Sequence, residues 1–332
     1  MTPRASALPR TLRLPPHRSL LQRGPAARML GLDPRTALAV DDLPPALARM
    51  LDELAAPADR AGLVTRAVRR GVEARAAEDL LRRLLDAGAL VDADGPERVT
   101  RHRAAAVVAV VGDGRLAAGV AAGLALARVG AVQVGAAGGG VVQASDLGTG
   151  LLDVDRGRPR TGAVVDAVRR VAPGARVGPP AARPVPDLCV LADASAPDPV
   201  RVAALHRDVV AHLPVRLRDD TGVVGPLVLP GRSACLGCVE LHRSARDPGW
   251  PTVAAQLVDR PGRGGPATAA ATAALGVAQA LAALDAAGGQ AVDGGGGPPA
   301  LGATLELDLT GGVLLRRPWA PHPDCTCGAP PC

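Results

Sequence analysis

The sequence contains no lysine, isoleucine, asparagine, phenylalanine or tyrosine. All five are encoded by codons whose first two positions are A or T, so their joint absence marks a GC-rich genome rather than five separate functional demands. Without lysine the 38 basic residues are all Arg, and the formal charge of +6 cannot be read as a choice of guanidinium over ammonium. Only Trp250 and Trp319 remain to stack a base, which argues against a single-strand nucleic-acid platform built on aromatic rows. An aromatic belt at a membrane interface is equally unsupported.

What remains is enough to fold. Of 332 residues, 48% are hydrophobic and 21% charged, which rules out wholesale disorder and suits two domains of roughly 100–200 residues each. The 40 Gly and 32 Pro owe part of their number to the same codon bias. Pro266 to Leu284 is uncharged and about the length of a membrane span. Its Ala/Thr composition, with only Leu275, Val277, Leu281 and the closing Leu284 as larger apolar residues, predicts a buried helix instead. The first 35 residues are Arg-rich but lack the apolar core of a signal peptide, so a cytoplasmic chain is expected.

Residues 1–100 read as one module. Thr11–Leu14, Met29–Leu32 and Ala37–Val40 suggest brief strands. Pro44-Pro45 then sets a first helical turn, and Leu47, Met50, Leu51 and Leu54 follow at 3–4 spacing. A second helix is expected near Arg60–Arg70. A third, near Ala76–Ala87, turns Leu80, Leu81, Leu84 and Leu85 inward. Ala89-Leu90-Val91 followed by Asp92-Ala-Asp-Gly95 reads as a strand and turn, completing a winged-helix-like α+β module. Such a module serves as a structural accessory, as a binder of an extended peptide, or as a DNA binder. Glu73, Glu78 and Asp79 beside Arg75, Arg82 and Arg83 make the third helix poor at following phosphates.

Residues 104–332 form the larger domain. The apolar run Ala104–Val111 suits a buried parallel strand. Gly112-Asp-Gly114-Arg-Leu-Ala117 and a long Ala/Leu helix follow, so Gly112 and Gly114 open a G-x-G-x-x-A turn in a strand–turn–helix context that can bring a phosphate to a helix N-terminus. Nicotinamide binding also needs an acid after the second strand. That place reads Gly135-Ala-Ala-Gly-Gly-Gly140, and no Asp or Glu lies between Asp113 and Asp146.

Cysteine spacing is the most specific signal. Cys235-Leu-Gly-Cys238 and Cys325-Thr-Cys327 are two short clips that together supply four thiolates for a structural zinc ion. His322 or the terminal Cys332 could replace one member. Cys189, within Leu188-Cys-Val-Leu191, reads as a buried strand residue and not a nucleophile. His206 and His212 are expected on one helical stretch, Asp219-Asp220 in a solvated turn, Glu240-Leu-His242 facing solvent or supporting the knuckle, and Gly294–Gly297 as a loop.

Together the glycine turn and the two clips resemble the ThiF/MoeB superfamily, the fold of ubiquitin-activating-type adenylyltransferases. Ser145-Asp-Leu147 stands where that family has Ser-Asn-Leu, Gly157-Arg-Pro-Arg160 where it has Gly-Lys-Pro-Lys, and Asp187–Asp193 resembles its strand ending in a metal-binding Asp. Leu305–Asp308 with His322–Cys325 is similar to its closing hairpin and clip. With the N-terminal module, the chain resembles the ThiF-like leader-peptide-binding proteins of thiazole/oxazole-modified microcin cyclodehydratases. The resemblance implies an α/β, Rossmann-like domain with a zinc knuckle, and a homodimer for which the Ala-rich faces are suited. It also implies a precursor peptide and a YcaO-type enzyme as partners, with neither membrane nor nucleic acid. For ATP and Mg it implies Gly112, Gly114, Arg160 and Asp193. The family's ribose acids, however, fall on Gly138 and Gly140, and its Arg on Thr149. Asp persists elsewhere in the chain, so codon drift does not explain that loss. The expectation is a scaffold with a degenerate nucleotide site. The alternatives are a working adenylyltransferase in which Arg160 and Asp193 act, and a winged-helix regulator.

Overall fold

Leucine spacing builds the first of two units into which the chain divides, Met1–Arg98 and Val99–Cys332. The computed structural model describes residues 8–136, 138–180, 185–289 and 297–330. Cys332 and residues 294–296 of the glycine run lie outside them.

In the first unit, strand β1 (Thr11–Arg13) is followed by a meander of β2 (Leu20–Gly24), β3 (Ala27–Leu30) and β4 (Leu38–Val40). Helix α1 (Pro45–Asp52) starts with Pro45, whose fixed φ suits the first turn. A short strand β5 (Ala58–Asp59), helix α2 (Arg60–Arg69), helix α3 (Ala74–Asp86) and strand β6 (Val91–Asp92) follow, and helix α4 (Gly95–Ala105) runs across the division at Arg98. Strands β5 and β6 flank β1, both antiparallel. Strand β2 has no counterpart in the sequence expectation, because Leu20-Leu-Gln-Arg-Gly24 lacks the alternation that marks a strand. The expected turn after Val91 leads into α4, not into a second wing strand.

The core of this unit holds Leu12, Leu30, Met50, Leu51, Leu54, Leu63, Leu81 and Leu84. Leu80 and Leu85 only border it, which a helix three to four residues per turn requires when Leu81 and Leu84 face inward. The outer face of α3 carries ion pairs Arg75–Asp79 and Arg82–Asp79, and Arg60 reaches Glu78 at 2.7 Å. Arg28, only 5% exposed, forks onto Asp52 at 2.6 and 2.8 Å and donates to the carbonyls of Gly24 and Ala27.

The second unit is built on strands β7 (Val107–Val111), β8 (Ala131–Gly135), β9 (Val177–Gly178), β10 (Leu188–Ala192), β11 (His212–Arg218), β12 (Thr221–Val224), β13 (Ala303–Asp308) and β14 (Val313–Pro318). Their order is β14-β13-β12-β11-β10-β7-β8-β9. From β11 to β9 the neighbours are parallel, and β12 to β14 close the sheet antiparallel. Helices α5 (Arg115–Leu126), α6 (Arg160–Val171), α7 (Pro199–Arg207), α8 (Leu236–Arg246), α9 (Trp250–Leu257) and α10 (Pro266–Ala287) complete it.

The apolar strands form as expected, because a sheet buried on both faces needs no alternation. Helix α10 is the one described helix long and apolar enough to cross a membrane. It buries Thr268, Thr272 and Gln279 along with Ala269, Ala273 and Ala280, leaves Ala267, Ala270, Ala274 and Ala278 exposed, and Gln279 accepts from the Ala300 N–H at 2.9 Å. Two glycines let α5 lie against it. A Cβ on Gly119 would stand 2.8 Å from Ala273 Cβ, and one on Gly123 would stand 2.6 Å from a Val277 methyl. One face of each helix is thus packed on the other within the unit.

His206 and His212 do not share a helix. His206 lies in α7, whereas His212 opens β11, because His212-Leu-Pro-Val-Arg-Leu-Arg218 is a sheet strand whose Pro214 would interrupt a helix. Asp219 and Asp220 form the β11–β12 turn with φ of +47° and +61°. Asp220 accepts from the Gly265 N–H at 2.6 Å, beside the start of α10.

Candidate functional site

Strands β7 and β10 are neighbours, but the chain leaves them in opposite directions across the sheet, β7 toward β8 and β10 toward β11. In open α/β sheets the crevice at the carboxyl end of such a pair is where ligands bind. Gly112 and Gly114 end β7 there, and Asp193 ends β10.

Asp193 fills the turn itself. Its carboxylate accepts from the backbone N–H of Gly114 at 2.9 Å, of Leu116 at 2.9 Å and of Ala117 at 3.3 Å. These are three of the four donors that the start of α5 leaves without helical partners. A Cβ on Gly114 would stand 2.8 Å from Asp193 Oδ1, and one on Gly112 would stand 2.9 Å from the Ala192 carbonyl. The two glycines therefore make room for the end of β10. Asp193 itself holds φ at +70°. Burial pushes its carboxyl pKa up, against the three N–H donors that favour the charge.

A second carboxylate, not singled out by sequence reasoning, lies between the glycines. Asp113 is 5% exposed and accepts from the Gly139 N–H at 2.9 Å. Burial raises its pKa also. The signal was present in Gly112-Asp-Gly114, where an acid stands in the turn meant for an anion.

Arg160 begins α6, and its guanidinium is paired with Asp146 at 2.8 Å. Its Nε is buried without a partner. The backbone N–H of Arg160 donates to the Gly140 carbonyl at 3.1 Å, so the acid-free stretch folds back over this residue. Thr149 donates its hydroxyl to the Arg115 carbonyl. Gly112, Gly114 and Asp193 thus meet at one crevice, and Arg160 stands beside it engaged by an acid. An incoming phosphate would have to displace Asp193 from the helix start and approach Asp113. Opposite the end of β8, where ribose would need an acceptor, Gly138 and Gly140 offer no side chain. The residues present fit a nucleoside triphosphate poorly.

The cysteines fit a metal well. Cys235 caps the N-terminus of α8, one turn ahead of Cys238, and the second clip follows β14. All four Sγ atoms lie within 4.8 Å of one another. Cys235–Cys238 measures 3.8 Å, while Cys235–Cys325 and Cys238–Cys327 each measure 3.6 Å. A tetrahedron with Zn–S bonds of about 2.3 Å has edges of about 3.8 Å, whereas a disulfide needs about 2.05 Å. His322 is not among the four and packs edge-on against His242, 4.8 Å between centroids. His242 Nε2 meets the Ala320 carbonyl at 3.0 Å, and His206 Nε2 meets that of Cys327 at 3.0 Å. Cys189 is 2% exposed, and burial pushes its thiol pKa up to about 12, so it is no nucleophile.

No family model matches the sequence, and no curated protein matches it. Solved structures do. The microcin C7 biosynthetic enzyme MccB in complex with N-formylated MccA superposes with a TM-score of 0.72 at 13% identity, over 96% of this chain and 100% of that one. E. coli MccB with ATP gives 0.72 at 14% identity, over 96% and 99%. The heterocyclase TruD gives 0.61 at 17% identity, over 97% of this chain and 43% of its own. The chain therefore shares the fold of MccB.

Proposed function

We propose that the protein is a ThiF-fold peptide-recognition scaffold. Its N-terminal unit captures the leader of a precursor peptide and presents that peptide to a separate, YcaO-type cyclodehydratase, while its own nucleotide site is degenerate. The observation that carries this reading is the Asp193 carboxylate on the Gly114, Leu116 and Ala117 N–H groups, which occupies the anion position of the fold. Structures with this fold include MccB bound to MccA and a heterocyclase, which supports a peptide as the ligand. Strands β2 and β4 are the edges of their sheet among the described residues, and an extended leader can add to such an edge.

The test has two arms. Precursor peptides encoded beside the gene are titrated against the full chain without nucleotide, and ATP–Mg is titrated by calorimetry. Peptide binding without ATP binding is expected. Micromolar ATP binding with release of pyrophosphate would overturn the scaffold reading in favour of an adenylyltransferase. That second reading is favoured by one finding, the match to E. coli MccB with ATP along nearly the whole of both chains.

A further inference from the structure

The eight-stranded sheet ends in two edges of unequal protection. Strand β9 closes one side and is two residues long, and a very short strand is one way to blunt an edge. Strand β14 closes the other side with six residues, Val313-Leu-Leu-Arg-Arg-Pro318. Val313, Leu314 and Leu315 are 50%, 54% and 48% exposed, although their side chains alternate between the two faces of the sheet. Leu309, in the turn before β14, is 42% exposed. The apolar surface therefore wraps round the edge. Among the described residues, no backbone other than that of β13 bonds to β14.

The ladder fixes which backbone groups are free. Strands β13 and β14 pair as Glu306↔Leu315 and Asp308↔Val313, and just past them the Trp319 N–H donates to the Gly302 carbonyl at 2.8 Å. Hydrogen-bonded pairs alternate along an antiparallel ladder, so Val313, Leu315 and Arg317 turn their backbone groups to β13. Leu314 and Arg316 turn theirs outward. A second β14 can meet these groups across a two-fold axis when Leu315 lies opposite its own copy. Leu314 of each copy then exchanges both backbone hydrogen bonds with Arg316 of the other. A register centred on Arg316 would instead oppose two guanidiniums and ask Pro318 for an N–H it lacks.

The side chains agree with the register centred on Leu315. On the face that carries Val313, Leu315 and Arg317, Arg317 of one copy lies opposite Val313 of the other, whose partner on β13 is Asp308. Asp308 accepts the Gly311 N–H at 2.9 Å and has no ion-pair partner among the described residues. Arg317 uses its Nε on Glu306 at 3.0 Å, which leaves the end of its fork for the second copy. On the other face, Leu314 lies against the aliphatic stem of the opposing Arg316.

We propose that β14 is the interface of a two-fold homodimer in which the two large sheets join edge to edge. Its occupant is a second copy of this chain, because the strand complements itself in backbone groups, apolar centre and charge. The proposal is independent of leader capture, which concerns the strands of the first unit. One strand pair is small beside the roughly 1,200–2,000 Å² of stable complexes, so the association is a concentration-dependent equilibrium and not an obligate one.

Sedimentation velocity of the full chain across a dilution series is expected to show monomer and dimer in exchange. Leu315→Arg and Leu315→Glu each oppose like charges at the axis, and each should weaken association by roughly tenfold or more. A one-to-one mixture of the two should restore it, because Arg then faces Glu; an edge that pairs with anything but its own copy gives no such rescue. Leu314→Pro removes an outward N–H and spares the bonds to β13. It should weaken association while the dilute, monomeric protein melts close to the parent. Deuterium exchange gives a reading without substitution: the amides of Leu314 and Arg316 should exchange more slowly at high protein concentration than at low. A parent that stays monomeric throughout, association unaffected by the Leu315 variants, a mixture that stays apart, or exchange at Leu314 and Arg316 independent of concentration would each overturn the proposal.

Discussion

The Asp193 carboxylate lies 2.9 Å from the backbone nitrogen of Gly114, so the end of β10 caps the start of α5. Asp193→Asn keeps the shape and tolerates the positive φ, but it turns one oxygen into an NH2 that faces backbone donors. The expected loss is about 1–3 kcal/mol of stability, read by urea denaturation. The pH dependence has a definite sign. A carboxyl raised above its unfolded value stabilises the fold below that value and loses the contribution as pH rises through the native pKa. The gap between parent and variant should therefore shrink as pH climbs above about 4. A gap that widens with pH would show that the N–H donors outweigh burial.

The thiol cluster predicts one zinc per chain by native mass spectrometry. Cys235→Ser with Cys238→Ser should abolish it, and so should Cys325→Ser with Cys327→Ser, whereas His322→Ala should retain it. Since structural zinc contributes folding energy directly, chelation should lower the melting temperature by about 10 °C or more. Zinc lost from His322→Ala alone would mean that the four sulfurs are not the complete ligand set.

The clips and the glycine turn were legible because their chemistry is local, carried by residues within six positions of one another. The crevice was legible only in part. That Asp193 ends the strand beside the glycines follows from strand order, which resemblance supplies. That its carboxylate turns back onto the turn depends on backbone geometry at a single residue. The burial of Arg216 in β11, 7% exposed, was invisible for a different reason. In Leu213-Pro-Val-Arg-Leu217 nothing distinguishes it from a solvated arginine until both faces of the sheet are covered. His212 was misplaced because two histidines six apart fit a helix as readily as a helix followed by a strand.

Cys189 should be inert. With its pKa pushed up to about 12 by burial, almost no thiolate exists near neutral pH. Iodoacetamide at pH 7.5 is expected to leave Cys189 unmodified in the folded protein and to label it after denaturation, as mapped by peptide mass. Complete labelling in the folded protein would contradict the strand burial.

Asp155 is the strongest test of how the loop before Arg160 is held. Its side chain is wholly buried and accepts from Arg170 at 2.6 and 3.1 Å, from Arg158 at 3.1 Å and from the Leu152 N–H at 2.9 Å. Burial works against the charge, but Arg170, the Leu152 N–H and Arg158 outweigh it and hold the carboxyl below its ordinary range. A depressed carboxyl stabilises the fold above its unfolded pKa and loses that contribution as pH falls through the native value. Asp155→Asn should therefore cost about 2 kcal/mol or more at neutral pH, less than for a fully buried pair because both arginines are partly exposed. The cost should fade below about pH 4. Arg170 also donates to the Gly150 carbonyl at 2.7 Å, beside Thr149, so the same variant should loosen the segment that packs against the start of α5. Hydrogen exchange at residues 148–160 faster than in the parent, with the amides of β7 and β10 unchanged, is the expected pattern. Uniform loss of protection across the unit would instead make Asp155 a determinant of global stability.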